Sequence, residues 1–423
     1  MAEIISLGNG VEGLFIKNSR FNTTSVSFNF YLPLNDKNVA HNALLPFILT
    51  SCSKDYPDFT SLNIKLSKLY GARLDSSCEK YGDCQLLRMR ISVIDDKFSL
   101  DDDSLVLQAS ELLLNLIFNP NTENGSFCEC DVEREKRKAI EHIRGEIAEK
   151  RVYAKNRLIA EMFKGTPYGL PKCGTEEDVA KITGKSLYDA WGNMLKTAFV
   201  RVHIVGAVAP PKFFERIKER FENLERSNIT NCKICKPAKP TDKVNTVIEK
   251  MDLKQGKLVM GFSSDMYGDD DLSVPLMVMC DIFGGGPYSR LFTNVREKMS
   301  LCYYCSATSV RYKGLLTVDS GVEKENCDKA EKEILNQLDI LKKGEFLDSE
   351  LESSKKSFCD SLKTYYDSQN SLDLWYALKI NNANLYSPED IIEKINAITK
   401  EDVVYAAKGI KLHTVYKLLP KES

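Results

Sequence analysis

Phe283-Gly284-Gly285-Gly286-Pro287-Tyr288-Ser289-Arg290-Leu291-Phe292-Thr293-Asn294-Val295-Arg296-Glu297-Lys298-Met299-Ser300-Leu301-Cys302-Tyr303-Tyr304 is the stretch on which the reading of this chain turns. Three glycines and a proline stop any preceding helix. Ser289 is placed to cap the next helix, whose apolar face is Leu291, Phe292 and Val295. After Leu301 the pattern becomes β-like through Cys302-Tyr303-Tyr304-Cys305. Arg296 and Tyr303 therefore flank a helix-to-strand junction, which can bring the two side chains together.

Working outward from that junction, the second half reads as a strand over 244–263, an apolar helix over 272–283, the glycine turn and a short helix over 288–298. Strands near 302–310 and 314–321 follow, then a helix through Ala330, Ile334, Leu338 and Leu341, a long charged helix over 347–370, smaller helices and a closing strand at 412–416. The first half has the same order. Alternation over residues 11–34 predicts an opening β-hairpin. The run Ala43-Leu44-Leu45-Pro46-Phe47-Ile48-Leu49 is a buried helix over 41–51 with Pro46 near its start. Asp58 caps a second helix, and strands near 72–79 and 84–95 come next. Asp101-Asp102-Asp103 opens a leucine-rich helix, where acids suit the macrodipole better than a metal. A charged helix over 131–165, broken near 150, carries Ala139, Ile143 and Ile147 in one stripe. Short helices over 176–195 and a strand, Val200 to Gly206, close the half; His203 in that strand reads as a satisfied sheet residue. Residues 1–215 and 244–423 thus form two tandem α+β halves, joined by a polar linker over 216–243. Each is a mainly antiparallel sheet with helices packed on one face.

The bulk numbers set bounds. A chain of 423 residues suggests roughly two to three domains of about 150 residues. A formal net charge of −2 gives no field favouring nucleic acid or an anionic membrane. No apolar run approaches the ~20 residues a membrane span needs, and the start lacks a signal-peptide pattern, so the expected location is cytoplasmic. The 13 cysteines show no disulfide framework and read as free thiols. Two Cys-x-x-Cys pairs, Cys232/Cys235 and Cys302/Cys305, are too far apart for a zinc ribbon. The Gly284-Gly285-Gly286 turn lacks the Lys-Ser/Thr of a phosphate loop, and Pro287 removes a backbone donor.

The chain resembles the M16 (pitrilysin, insulinase-like) peptidase family over nearly its whole length. The resemblance rests on Gly284-Gly285 with Ser289-Arg290-Leu291-Phe292, Val295-Arg296-Glu297-Lys298, Leu301 and Tyr303. Pro167-Tyr168-Gly169-Leu170-Pro171, Gly174-Thr175-Glu176-Glu177 and Leu69-Tyr70-Gly71-Ala72 add to it. Active members carry His-x-x-Glu-His on the first buried helix, with two zinc-binding histidines and a water-activating glutamate, and take a third ligand from the later charged helix. Catalytic zinc needs three protein ligands, an open position and a base in reach of its water. Here the helix reads Asn42-Ala43-Leu44-Leu45-Pro46. Leu45 stands in the place of the base, Pro46 in the place of the second histidine, and a register beginning at His41 meets Leu44 and Leu45. The third-ligand position falls at Glu141 or His142, and a lone residue there cannot hold zinc. The metal motif at Asn42, Leu45, Pro46 and His142 is therefore degenerate.

In the family an arginine, and a tyrosine seven residues later, grip substrate from the C-terminal half; Arg296 and Tyr303 match that spacing. A tyrosine hydroxyl suits a developing oxyanion and a guanidinium suits peptide carbonyls. The resemblance implies a non-catalytic subunit of a heterodimeric M16 pair, inactive alone, giving Arg296 and Tyr303 in trans to an HxxEH-bearing sister chain. That sister chain holds the zinc and takes peptide as an added strand; this chain needs no cofactor of its own. A homodimer also fits. The competing readings are a non-peptidase scaffold or binding protein of the same fold, of the kind found in respiratory complexes or tied to elongation factor P modification, and a stand-alone metallopeptidase using other ligands, such as a Cys-x-x-Cys pair.

Overall fold

The computed structural model describes residues 3–100, 104–232, 236–268, 270–380 and 384–421, with the backbone alone at 270. Asp101-Asp102-Asp103 and Cys235, singled out above, lie outside the described residues. In chain order the first elements are β1 (Glu3–Gly8), β2 (Val11–Lys17), β3 (Thr23–Pro33), α1 (Val39–Leu49), α2 (Phe59–Lys68), β4 (Arg73–Tyr81), β5 (Cys84–Ile94), α3 (Leu105–Phe118) and a ribbon of β6 (Thr122–Glu123) and β7 (Ser126–Phe127). There follow α4 (Glu129–Ala148), α5 (Lys150–Met162), α6 (Glu176–Ala180), α7 (Gly184–Thr197), β8 (Phe199–Gly206) and α8 (Phe213–Glu222). The later elements are β9 (Asn245–Met251), β10 (Gly256–Ser263), α9 (Asp270–Gly284), β11 (Cys302–Val310), β12 (Leu315–Val322), α10 (Cys327–Lys343), α11 (Asp348–Lys363), α12 (Gln369–Ala377), α13 (Pro388–Ala397), α14 (Lys400–Lys408) and β13 (Lys411–Pro420). No helix among the described residues is long and apolar enough to cross a membrane.

The chain forms two compact units. One comprises Met1–Arg144, Leu170–Ile234 and Ser368–Ile380; the other comprises Gly145–Gly169, Cys235–Asp367 and Asn381–Ser423. The expected continuous halves, 1–215 and 244–423, thus exchange two segments: α5 goes with the later unit and α12 with the earlier one. An amphipathic helix advertises an apolar face but not the sheet that will cover it, so the exchange leaves no local trace.

In the first unit the six strands run β1-β2-β8-β3-β5-β4, with β2 and β8 parallel and every other pair antiparallel. Five strands of the second unit run β11-β12-β10-β13-β9, with β9 and β13 parallel. Read from the opposite edge this is the order β2-β8-β3-β5-β4, and β1 is the one addition. The repeat read from the element pattern is thus a repeat of topology. Two strand expectations are corrected. β2 and β3 do not form a hairpin, because β8 inserts between them; β2 instead pairs with β1 through the turn at Gly8 and Gly10. The strand expected over 244–263 is two strands, β9 and β10, which lie on either side of β13.

Alternation along β3 divides the first unit's interior. Val26, Phe28, Phe30 and Leu32 join Leu44, Leu45 and Ile48 of α1 and Leu112, Leu113 and Leu116 of α3 in one apolar core. The opposite face, also buried, is polar. It takes α12, with Ser27 Oγ donating to Asp373 Oδ1 at 2.9 Å and Tyr31 Oη donating to the Ala377 carbonyl at 2.6 Å. Asp373, fully buried, also accepts from Arg88 Nη2 at 2.7 Å and from His203 Nδ1 at 2.6 Å. A carboxylate can only accept, so Nδ1 carries the imidazole proton. His203 is thus a satisfied sheet residue on that nitrogen, while its Nε2 is buried without a partner among the described residues. In the second unit α5 takes the equivalent place. Ala154 and Leu158 pack on Val259, Tyr416 and Leu418, and Arg151 Nε donates to the buried Asp319 at 2.5 Å.

Candidate functional site

The position where the metal motif would stand lies on α1, beside α4 and the edge strand β4. α1 is apolar almost all round, with Asn42, Leu44, Leu45, Pro46 and Ile48 all buried. Pro46 lies inside the helix rather than near its start, and leaves the Asn42 carbonyl without the usual N–H four residues on. The last turn is closed by Thr50, whose Oγ1 donates to the Pro46 carbonyl at 2.7 Å. Asn42 is committed to structure: its Nδ2 donates to Gln85 Oε1 at 3.1 Å, and Gln85 Nε2 in turn donates to the carbonyls of Val39 and Lys172 at 2.9 and 2.8 Å. Leu45 is fully buried in the core. His41, one residue off register, has Nε2 at 3.0 Å from Ser186 Oγ, and burial lowers its pKa.

Beside α1 lies a cavity of about 370 Å³ lined by Leu44, Phe47, Cys78, Glu135, His142 and Cys173 among others; Asn42, Leu45 and Pro46 do not line it. His142 reaches this cavity from α4, and Glu141 does not line it. The buried carboxylate on that helix is Glu135, two turns earlier, which is paired with Lys138 at 2.9 Å and Arg134 at 3.1 Å. Sequence reasoning passed over it; its spacing of seven from His142, on one helix face, was the available signal. A committed amide, a core leucine, a proline and two apolar side chains beside one imidazole do not make a zinc donor set. The residues present do not fit a catalytic metal, and no chemical step follows from this position.

The second candidate lies on the glycine turn and junction. Gly284 ends α9 against β11: a Cβ there would meet the Ala307 nitrogen at 2.5 Å and its Cβ at 2.7 Å, so only glycine admits the approach. Asp281 then receives Tyr288 Oη and Ser354 Oγ, each at 2.6 Å. Arg290 grips Glu350 with two bonds from Nη1 at 3.0 and 3.2 Å and donates to Gln337 at 3.0 Å. Ser289 does not cap: its Oγ is buried without a partner among the described residues, and the turn is held by these longer-range bonds instead.

Two departures from regular backbone frame the Arg/Tyr pair. Residues Leu291–Lys298 form a π-helix, not an α-helix, closed by Met299 N–H donating to the Asn294 carbonyl at 3.1 Å. Such turns are rare and concentrate at functional sites. Ser300 then takes a left-handed φ of 49°. In the ladder with β12, Cys302 faces Val322 and Tyr304 faces Gly321, so Tyr303 is the extra residue of a β-bulge. The bulge turns Tyr303 outward, 62 % exposed, while Cys302 and Cys305 point inward. Tyr303 Oη donates to Glu323 Oε1 at 2.9 Å, a bond that raises its pKa and holds the phenol neutral as a donor. Arg296, 40 % exposed, stacks its guanidinium 4.5 Å from the Phe292 ring centroid and, among the described residues, forms a long 3.5 Å ion pair to Glu297. Its charge is felt by Cys302, whose thiol is lowered to about 7, mainly by the hydrogen bond from Cys305, with Ser320 and Arg296 helping against burial. The bulge thus unites Cys302 and Cys305, and every described cysteine is free. Cys232, of the other pair, is hydrogen-bonded to Cys84, which raises its pKa.

Comparison with known proteins gives consistent relatives. Residues 181–358 match the family described as the Peptidase M16 inactive domain. A protein of Bacillus subtilis strain 168 named "Probable inactive metalloprotease YmfF" is 31% identical over 419 residues, covering 98% of this chain and 97% of that one. "Uncharacterized zinc protease YmxG" from the same organism is 25% identical over 310 residues, 70% of each chain. Among solved structures, a protein from Enterococcus faecalis V583 superposes with a TM-score of 0.92 at 25% identity over 100% of this chain and 99% of that one. A peptidase M16 inactive domain from Pseudomonas fluorescens superposes at 0.79 and 17% identity over 100% and 99%.

Proposed function

Because the chain belongs to the M16 peptidase family, we propose that it is the non-catalytic subunit of a heterodimeric zinc peptidase of the cytoplasm. It supplies Arg296 and Tyr303 to peptide bound on an HxxEH-bearing sister chain, which holds the zinc. The observation that carries this reading is the contrast between the two candidate sites. The α1 position has been filled with core residues and hydrogen bonds that cannot serve a metal. The junction keeps a π-helix, a left-handed Ser300 and a bulge, costly local backbone that leaves two polar side chains outside the core. Free thiols on a chain of this size fit a reducing compartment.

In this role Arg296 fixes peptide carbonyls with its fork of donors, and Tyr303 Oη leaves Glu323 to donate to the oxyanion that develops on the attacked carbonyl. Before peptide binds, the proton stays on the phenol, because hydrogen bonding to Glu323 opposes ionisation. Neither residue cleaves anything without the sister chain.

The test is to purify the chain with the sister product and assay turnover of unstructured peptides. The mixture should cleave and the chain alone should not. Tyr303→Phe should lower kcat by on the order of 100-fold with little change in KM, as expected for loss of one oxyanion donor. Arg296→Ala should raise KM as well. Turnover indifferent to both substitutions refutes the trans-site reading and leaves a scaffold or binding protein of M16 fold.

A further inference from the structure

Cys128, Cys130 and Asp131 stand together where α4 begins, and their ligand atoms all lie within 4.8 Å of one another. Cys128 Sγ and Cys130 Sγ are 2.7 Å apart. A third thiol approaches from a different element: Cys52, just beyond the end of α1 and only 6% exposed, donates to Asp131 Oδ2 at 3.8 Å. The sequence reading passed over this group, because the spacing is Cys-x-Cys rather than Cys-x-x-Cys and Cys52 is far away in the chain.

We propose that these residues form a structural site for a thiophilic d10 cation, Zn2+, held by Cys128, Cys130, Asp131 Oδ2 and Cys52. The donor set is that of a closed tetrahedral site, three sulfurs and one carboxylate oxygen. Two ligands on a tetrahedral zinc, with arms of about 2.3 Å for sulfur and about 2.0 Å for oxygen, stand about 3.5 Å apart for S and O and about 3.8 Å for S and S. The Cys52 to Asp131 separation already has nearly this value. The Cys128 and Cys130 sulfurs must open by about 1 Å, which their exposed position at a helix start allows, and Cys52, which stands outside the 4.8 Å group, must close on them from its place beside Asp131.

The surroundings suit a negative ligand set. Asp131 divides its oxygens: Oδ1 receives Arg134 Nη1 at 2.6 Å, leaving Oδ2 to face Cys52. That is the outer hydrogen bond by which a ligating carboxylate is oriented, and the guanidinium offsets part of the excess thiolate charge. The helix start favours anions for the same reason. Loading replaces up to three thiol protons with one divalent ion and forms no disulfide. Zinc here ties the start of α4 to the end of α1 within one unit. It has no open position and no base, so it would be a structural ion in a chain read from sequence as zinc-free, and would not restore catalysis.

The experiment uses the full chain, reduced, stripped of metal and reconstituted with Zn2+, with bound zinc counted by mass spectrometry and affinity read by competition with a chromophoric chelator. Cd2+ serves as the second probe, through its thiolate charge-transfer absorption. One equivalent should bind. Cys128→Ser with Cys130→Ser should weaken it by at least about 100-fold and abolish the cadmium band. Cys52→Ser should weaken it and shrink the band. Cys302→Ser with Cys305→Ser, and His142→Ala, should leave both readouts unchanged. Both altered residues at the first site are exposed, and unchanged circular dichroism verifies the fold. No stoichiometric zinc in the parent chain, or zinc retained by the Cys128/Cys130 double variant, overturns the proposal. Peptidase turnover plays no part in the readout, so the outcome is independent of the trans-site reading.

Discussion

Replacing Asp373 by alanine tests a fully buried charge with three side-chain partners. Its carboxylate sits on α12 with no solvent exposure and receives Arg88 at 2.7 Å, His203 at 2.6 Å and Ser27 at 2.9 Å. The pair itself adds little net stability, since desolvation offsets attraction. Removing one partner is different: the Arg88 side chain, 7% exposed, would keep its charge without a counter-ion. That costs about 3–5 kcal/mol. Two neutral donors, His203 and Ser27, also lose an acceptor, at about 1 kcal/mol each when left unmade. Asp373→Ala should therefore destabilise the first unit by about 5–7 kcal/mol, read as a shift of its urea transition, with Trp191 fluorescence reporting on that unit. The cause is testable separately. Asp373→Leu combined with Arg88→Met removes both charges and should recover most of the loss. If the single variant shifts the transition by less than about 1 kcal/mol, or the double variant is no better than the single, the buried-charge argument is wrong.

Two further outcomes follow from the same geometry. His203 is held below its ordinary pKa by burial, so the unfolded chain takes up its proton first as pH falls. Stability should then be full above about pH 6.5 and fall below it, by at most about 1.4 kcal/mol per pH unit, until the folded histidine also protonates. Asp373 is held well below the carboxylate range by Arg88 and by hydrogen bonding to His203, against burial. It contributes stability that is present above about pH 3.9 and lost on further acidification. His203→Gln should flatten the first limb of a urea-midpoint profile against pH and spare the second. At the glycine turn, Gly284→Ala would drive a methyl into Ala307 and should cost about 1–3 kcal/mol. Because the turn positions the π-helix, sister-dependent turnover should fall while the first unit's urea transition stays in place.

What was legible in the sequence was what local chemistry decides. Asp58 caps α2 and exchanges bonds with Ser61, as the spacing predicts. The break in the charged helix near 150 falls at Glu149, between α4 and α5. Loss of the metal motif needed only residue identity, because leucine and proline offer a cation nothing. Non-local decisions were not legible. Nothing in β2 or β3 announces that β8 will come between them, since both neighbours satisfy the same alternating pattern. The Arg/Tyr spacing was visible. The π-helix and the bulge that give it its geometry were not, because both arise from hydrogen-bond register rather than from composition. Glu135 went unnoticed among many acids of α4, because its spacing of seven from His142 gains meaning only once its burial is known.

The exchange of α5 and α12 imposes an order on the making of this protein. Strands β5 and β8 leave the ribosome long before Asp373 is synthesised, so Arg88 and His203 must wait, solvated, for their carboxylate. The N-terminal sheet can gather its apolar face early, against α1 and α3. Its polar face stays open until most of the chain exists. A stop anywhere between β8 and α12 would release a half-covered sheet, so a fragment ending at the linker is a client for chaperones and proteases rather than a domain. The segment between α8 and β9 parts the two units along the chain, yet the first unit is complete only once α12 has been made.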